Sequence, residues 1–117
     1  MQKNGGKLNS MDTVLTKDRI KAEKRLRHAL KWGSKDAVKE AFAAFYEATR
    51  RLVYRIVIDK IGRTEHTDDD VSEAFVVLMS HPEKIPGIKN LALYVAGTAV
   101  SLSIANCRRE STPPEEY

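Results

Sequence analysis

Three histidines, His28, His66 and His81, and one cysteine, Cys107, are the residues whose types could ligate a transition metal or act as nucleophiles. Their spacing groups none of them as a zinc site requires. His66 beside Asp68, Asp69 and Asp70 suits a hard cation, but the central Gly and terminal Glu of a calcium loop are missing. Gly5-Gly6 stands outside any strand-to-helix turn, and no nucleophile elbow or close Ser/His/Asp grouping occurs. The expectation is a chain without a catalytic centre, metal or cofactor. What remains is the chemistry of docking. Clustered carboxylates meet arginines, and basic and aromatic side chains meet nucleic acid.

The chain that must position these groups has 117 residues, 42% apolar and 31% charged. That length fits one domain burying roughly 65% of its unfolded surface. A single cysteine forms no internal disulfide, and the start MQKNGGKLNS lacks a signal peptide's apolar core, so a cytoplasmic protein is expected. The net charge of +4 is unevenly spread: residues 1–35 carry +7 and residues 36–117 carry −3. A basic front end on a mildly acidic body suits a polyanion contact confined to one end. A solvated helix face would account for it equally well.

Residues 1–15 read as a flexible arm and 111–117 as a linker or tail, leaving one helical domain over 16–110. A first helix is expected from Thr16, with Ala22, Leu26, Ala29 and Leu30 on one face. Gly33 ends it, and Ser34 caps the second. Val38, Phe42, Phe45, Thr49, Leu52 and Ile56 step by four and three, marking the inner face of a helix of ~40 Å. Ala41, Ala48, Val53 and Val57 widen that face, and Gly62 stops the helix. Thr67 to Asp70 form a capping box in which Thr67 accepts the N–H of Asp70. Val71, Ala74, Phe75 and Leu78 follow as a buried stripe, closed by His81-Pro82. Pro86-Gly87 makes a turn, and Asn90 caps a last helix to about Arg109. No alternating segment argues for a sheet. The fold class is all-α, a compact four-helix domain.

From residue 40 to 110 the order of features resembles region 2 of bacterial sigma-70 family factors, especially the small extracytoplasmic-function group. The residues that carry the resemblance lie in three stretches: AFYEATRRLVYRIV (44–57), DDVSEAFVVLMSHPEK (69–84) and LYVAGTAVSLSIANCRR (93–109). The middle stretch is similar to the family's Asp-Leu-Val-Gln-Glu-Thr-Phe helix, with its following His-Pro-Glu. The resemblance implies that this helix docks on the Arg-rich clamp helices of the large subunit of core RNA polymerase, through Asp68, Asp69, Ser72, Glu73, Val76 and Met79. It implies contact with the minus-ten promoter element through Tyr94, Ser101, Arg108, Arg109 and Lys89. The basic first helix, outside the resemblance, offers Lys21, Lys24, Arg25 and Arg27 for phosphates. Gly97 and Val100 stand where the family often carries basic residues, and Ala105 stands for its Asp. The family's second DNA-binding domain has no counterpart after Arg109. An excised domain or a single-domain protein working beside a second factor would both fit.

Residues 91–107 contain no charge. Seventeen residues give ~26 Å, at the short limit for a membrane span, and Ser, Thr, Gly and Asn dilute the apolarity, so no span is expected. The side bearing Ala96, Gly97, Val100 and Ile104, extended by Val77, is instead expected to pack on a partner. That partner could be an anti-sigma-like protein, a second copy or an extra part of the same chain. A sigma-like interaction module that reads no promoter DNA therefore stays open beside the first reading.

Overall fold

The computed structural model describes residues 10–111, with side chains over 16–109. Four α-helices follow one another: α1 (Ser10–Trp32), α2 (Lys35–Lys60), α3 (Thr67–Ser80) and α4 (Leu91–Ser111). A 3-10 helix, Pro82–Gly87, joins α3 to α4, and the described residues contain no strand. The described residues are all-α, with five helical elements where the sequence leads one to expect four. The extra element arises at the two prolines. Pro82 and Pro86 lack N–H donors and hold φ near the helical value, so a short i→i+3 ladder forms instead of a turn. Lys84 N–H donates to the His81 carbonyl at 3.0 Å, and buried Ile85 anchors the segment.

The first helix begins at Ser10, within the stretch expected to be a flexible arm; residues 1–9 of that stretch, and 112–117 of the expected tail, lie outside the described residues. The chain divides into two compact units, with the boundary inside α2 between Thr49 and Arg50, where the sequence suggests a single domain.

In the first unit the α1–α2 turn is set by two residues. Gly33 N–H donates to the Ala29 carbonyl at 2.8 Å, and a Cβ on Gly33 would lie 2.9 Å from that same oxygen, so no side chain fits. Ser34 then caps α2 as expected: its Oγ accepts the Ala37 N–H at 3.1 Å. Ala22, Leu26 and Ala29 form the buried face of α1.

The inner face of α2 is shifted from the expected one. Ala41, Phe45, Thr49, Val53 and Val57 are fully buried, whereas Val38, Phe42, Leu52 and Ile56 are half-buried. The buried row steps strictly by four and so follows an i±4 ridge, which drifts around a helix of 3.6 residues per turn. Thr49 is fully buried and its hydroxyl has no hydrogen-bond partner among the described residues. Thr49→Val keeps the shape and removes that orphan oxygen. It is expected to raise unfolding free energy by about 1 kcal/mol, read as a higher urea midpoint with an unchanged slope.

In the second unit α3 packs along α4, and the 3-10 helix packs against α3. Val71, Ala74, Phe75 and Leu78 from α3 are buried, as the sequence predicts, and α4 buries Leu91, Ala92, Val95, Ala96 and Ala99. Asn90 caps α4, its side-chain oxygen accepting the Leu93 N–H at 3.0 Å.

Candidate functional site

The entry into α3 is built from a loop rather than from the expected capping box. Gly62 adopts φ +98°, a left-handed conformation that L side chains rarely take, and so ends α2. Thr64 N–H donates to Thr67 Oγ1 at 2.8 Å, and His66 N–H donates to Thr64 Oγ1 at 3.0 Å. Thr67 is therefore engaged backwards, with the preceding loop. Asp70 N–H donates instead to the His66 carbonyl at 2.8 Å. The loop satisfies its own donors, which leaves the Thr67 hydroxyl buried and committed before the helix starts.

The three acids of this first turn separate into three roles. Asp68 is exposed and accepts from the Tyr54 hydroxyl at 3.0 Å, with the Arg63 guanidinium 3.5 Å away. Asp70 is only 3% exposed and joins α3 to α4. Ser103 Oγ donates to its Oδ2 at 2.8 Å and Asn106 Nδ2 to its Oδ1 at 2.6 Å. Asp69 is exposed, and its carboxylate, like that of Glu73, forms no side-chain hydrogen bond or ion pair among the described residues. Asp69, Ser72, Glu73 and Val76 lie on one face of α3, all exposed, with Val76 at 55%. Met79 sits half-buried beside that face. The result is an outward face with two unpaired carboxylates and an apolar centre, held rigid by the packed opposite face.

Tyr94, Ser101 and Arg108 recur every seventh residue and share one exposed stripe of α4. Arg109 is exposed near the end of the same helix, and Lys89 is exposed in the turn before it. Beside the stripe stand Leu93, 55% exposed, Gly97 and Ile104. The side expected to seek a partner is thus only partly outward: Ala96 is buried against the unit's own core and Val77 and Val100 are half-buried. Among the described residues α4 is the one helix whose length and composition would allow it to cross a membrane. Its Ser103 and Asn106 nevertheless bind the buried carboxylate of α3, which is the behaviour of a helix packed into its unit.

On α1, Lys21, Lys24 and Arg25 are exposed. Arg27 differs from them: its Nε and one terminal nitrogen both donate to Glu23 Oε2, at 3.1 and 2.8 Å, so its charge is matched within the helix. The described residues hold no cluster of three His, Cys, Asp or Glu side chains able to hold a metal ion.

Two structural features escape the sequence reading. The Asp70–Ser103–Asn106 network had a faint signal, since Asp70 lies four residues before Ala74 on the inner face. Trp32, 72% exposed at the end of α1, is the second. Its only signal was being the chain's single tryptophan beside Lys31. No family model, characterised protein or solved structure matches the chain.

Proposed function

We propose that the chain from about residue 36 to 110 is a sigma-70-like region 2 module that binds core RNA polymerase and takes part in transcription initiation at the minus-ten element, in the cytoplasm and without catalysis of its own. The observation that carries this reading is the outer face of α3, where Asp69 and Glu73 stand exposed and unpaired around Val76. Arginine-rich coiled coils are met by such carboxylates, because guanidinium–carboxylate pairs fix both distance and orientation. The alternating burial of α3 supports the reading further: the helix is fixed by its inner face, so its outer one is presented rigidly. The test is co-purification of the intact chain with core polymerase, compared with the chain carrying both Asp69→Arg and Glu73→Arg.

Contact with promoter DNA rests on the Tyr94, Ser101 and Arg108 stripe, an aromatic ring in line with a hydroxyl and a guanidinium. Stacking on an unpaired base makes Tyr94→Ala cost roughly tenfold in affinity for forked DNA with an open minus-ten strand, read by fluorescence anisotropy. The alternative is an interaction module with the same fold that reads no DNA. Leu93 and Ile104, exposed beside uncharged Gly97, favour it. Forked DNA separates the two: an intact chain without affinity for it leaves the interaction module.

A further inference from the structure

We propose that α1 forms, with Trp32, a second and separate binding site, one for single-stranded nucleic acid. Lys17, Lys21, Lys24, His28 and Lys31 step by four, three, four and three residues and lie on one exposed face of α1. Each step advances about 5 Å along the helix, so the four lysines form a line rather than a cluster. A line of cations is complementary to a phosphate backbone running along it. Arg25 flanks the line with Glu40 of α2 3.7 Å from its guanidinium, and Asp18 and Glu47 border a groove beside Lys21 and Arg25, so the free cations of the line are its lysines.

Trp32 decides what kind of polyanion the line suits. An indole left 72% exposed forgoes most of the burial its ring could contribute. It borders a groove of about 320 Å³ together with Arg25, His28, Ala37 and Glu40, the last paired with Arg25. The Lys31 ammonium lies 5.4 Å from its ring centroid, which sets a cation beside any base stacked there. A flat aromatic at the end of a cationic line serves a ligand with both phosphates and free π-faces. Bases within a duplex are already stacked and offer no such face, and an acidic peptide has none. The site lies in the first unit and uses none of the residues assigned to polymerase or promoter contact on α3 and α4.

Trp32 is the only tryptophan, so its emission reports on this ring alone. The intact chain is titrated with oligothymidylate of about fifteen nucleotides, a length within the range of one single-strand site. The expected result is saturable quenching that weakens as salt rises. With a labelled oligonucleotide, Trp32→Ala lowers affinity roughly tenfold while Trp32→Phe retains most of it. Lys21→Gln with Lys24→Gln flattens the salt dependence, since each removes a phosphate contact. Oligouridylate binding equally well places recognition in phosphate and base; weaker binding makes DNA the ligand. The proposal is overturned by no quenching, by equal quenching with a blunt duplex, or by equal quenching with polyglutamate. Trp32 emission reads α1 and co-purification with core polymerase reads α3, so failure here is distinct from failure of the polymerase reading.

Discussion

Asp70→Ala is expected to destabilise the second unit by about 3 kcal/mol, the largest stability effect of any single substitution considered. The carboxylate is buried and accepts from Ser103 and Asn106 at 2.8 and 2.6 Å. Hydrogen bonds to a charged group contribute ~1.5–3 kcal/mol each. Part of that sum is offset because alanine no longer holds a carboxylate away from water. What tips the balance is the partners left behind: the buried Ser103 hydroxyl loses its acceptor, and the half-buried Asn106 amide loses one. Against a domain stability of ~5–15 kcal/mol the loss is large, and it should appear as a fall in the urea midpoint. Asp70→Asn tests the chemistry more sharply, because its shape is unchanged. One of its two oxygens becomes an NH2 donor, which faces either the Asn106 donor or the Ser103 hydroxyl. A loss below that of Asp70→Ala but above about 1 kcal/mol is expected. An unchanged midpoint in both variants would show that the two hydrogen bonds do not hold α3 to α4.

Reversing both outer acids of α3, Asp69→Arg with Glu73→Arg, is expected to lower affinity for core polymerase at least about a thousandfold. Two carboxylates that pair with arginines become two cations facing them, and like charges across an interface cost several kcal/mol. The fold should survive. Both residues are exposed and make no contact that the substitution breaks. Only the favourable placement of Asp69 at the helix N-terminus is lost, about 1 kcal/mol at most. Circular dichroism and the urea midpoint should therefore stay close to those of the intact chain while co-purification disappears. Glu83→Arg in the 3-10 helix, half the charge change, is the control for position, since that acid is exposed but lies off the α3 face. Retained co-purification in the double variant, or an equal loss in the Glu83 control, would remove the outer face of α3 as the docking surface.

Much of the architecture follows from local chemistry. Gly33 and Ser34 end one helix and start the next, Asn90 starts the last, and Pro82 stops α3, each through hydrogen bonds or ring sterics within four residues. The apolar stripe of α3 was legible for the same reason: a 14-residue helix drifts little, so spacing identifies its inner side. On the 26-residue α2 the drift accumulates, and spacing alone could not choose between the 38/42/45/49 face and the 41/45/49/53 ridge. Thr67 departs from the expected cap because a hydroxyl at a helix start can serve the helix or the loop before it. Only the placement of Thr64 selects the loop.

The acidic triplet shows where sequence stops and tertiary structure begins. Three consecutive aspartates in a first turn all satisfy the helix dipole, so by sequence they are interchangeable. By itself the sequence determined an all-α chain, most of its caps and an uneven charge, because these depend on neighbours a few residues apart. The tertiary structure decided that Asp68 meets Tyr54, that Asp70 is buried on Ser103 and Asn106, and that Asp69 is left facing outward. Those partners lie 14, 33 and 36 residues away, and only packing α3 along α4 brings the last two to the one aspartate that points inward.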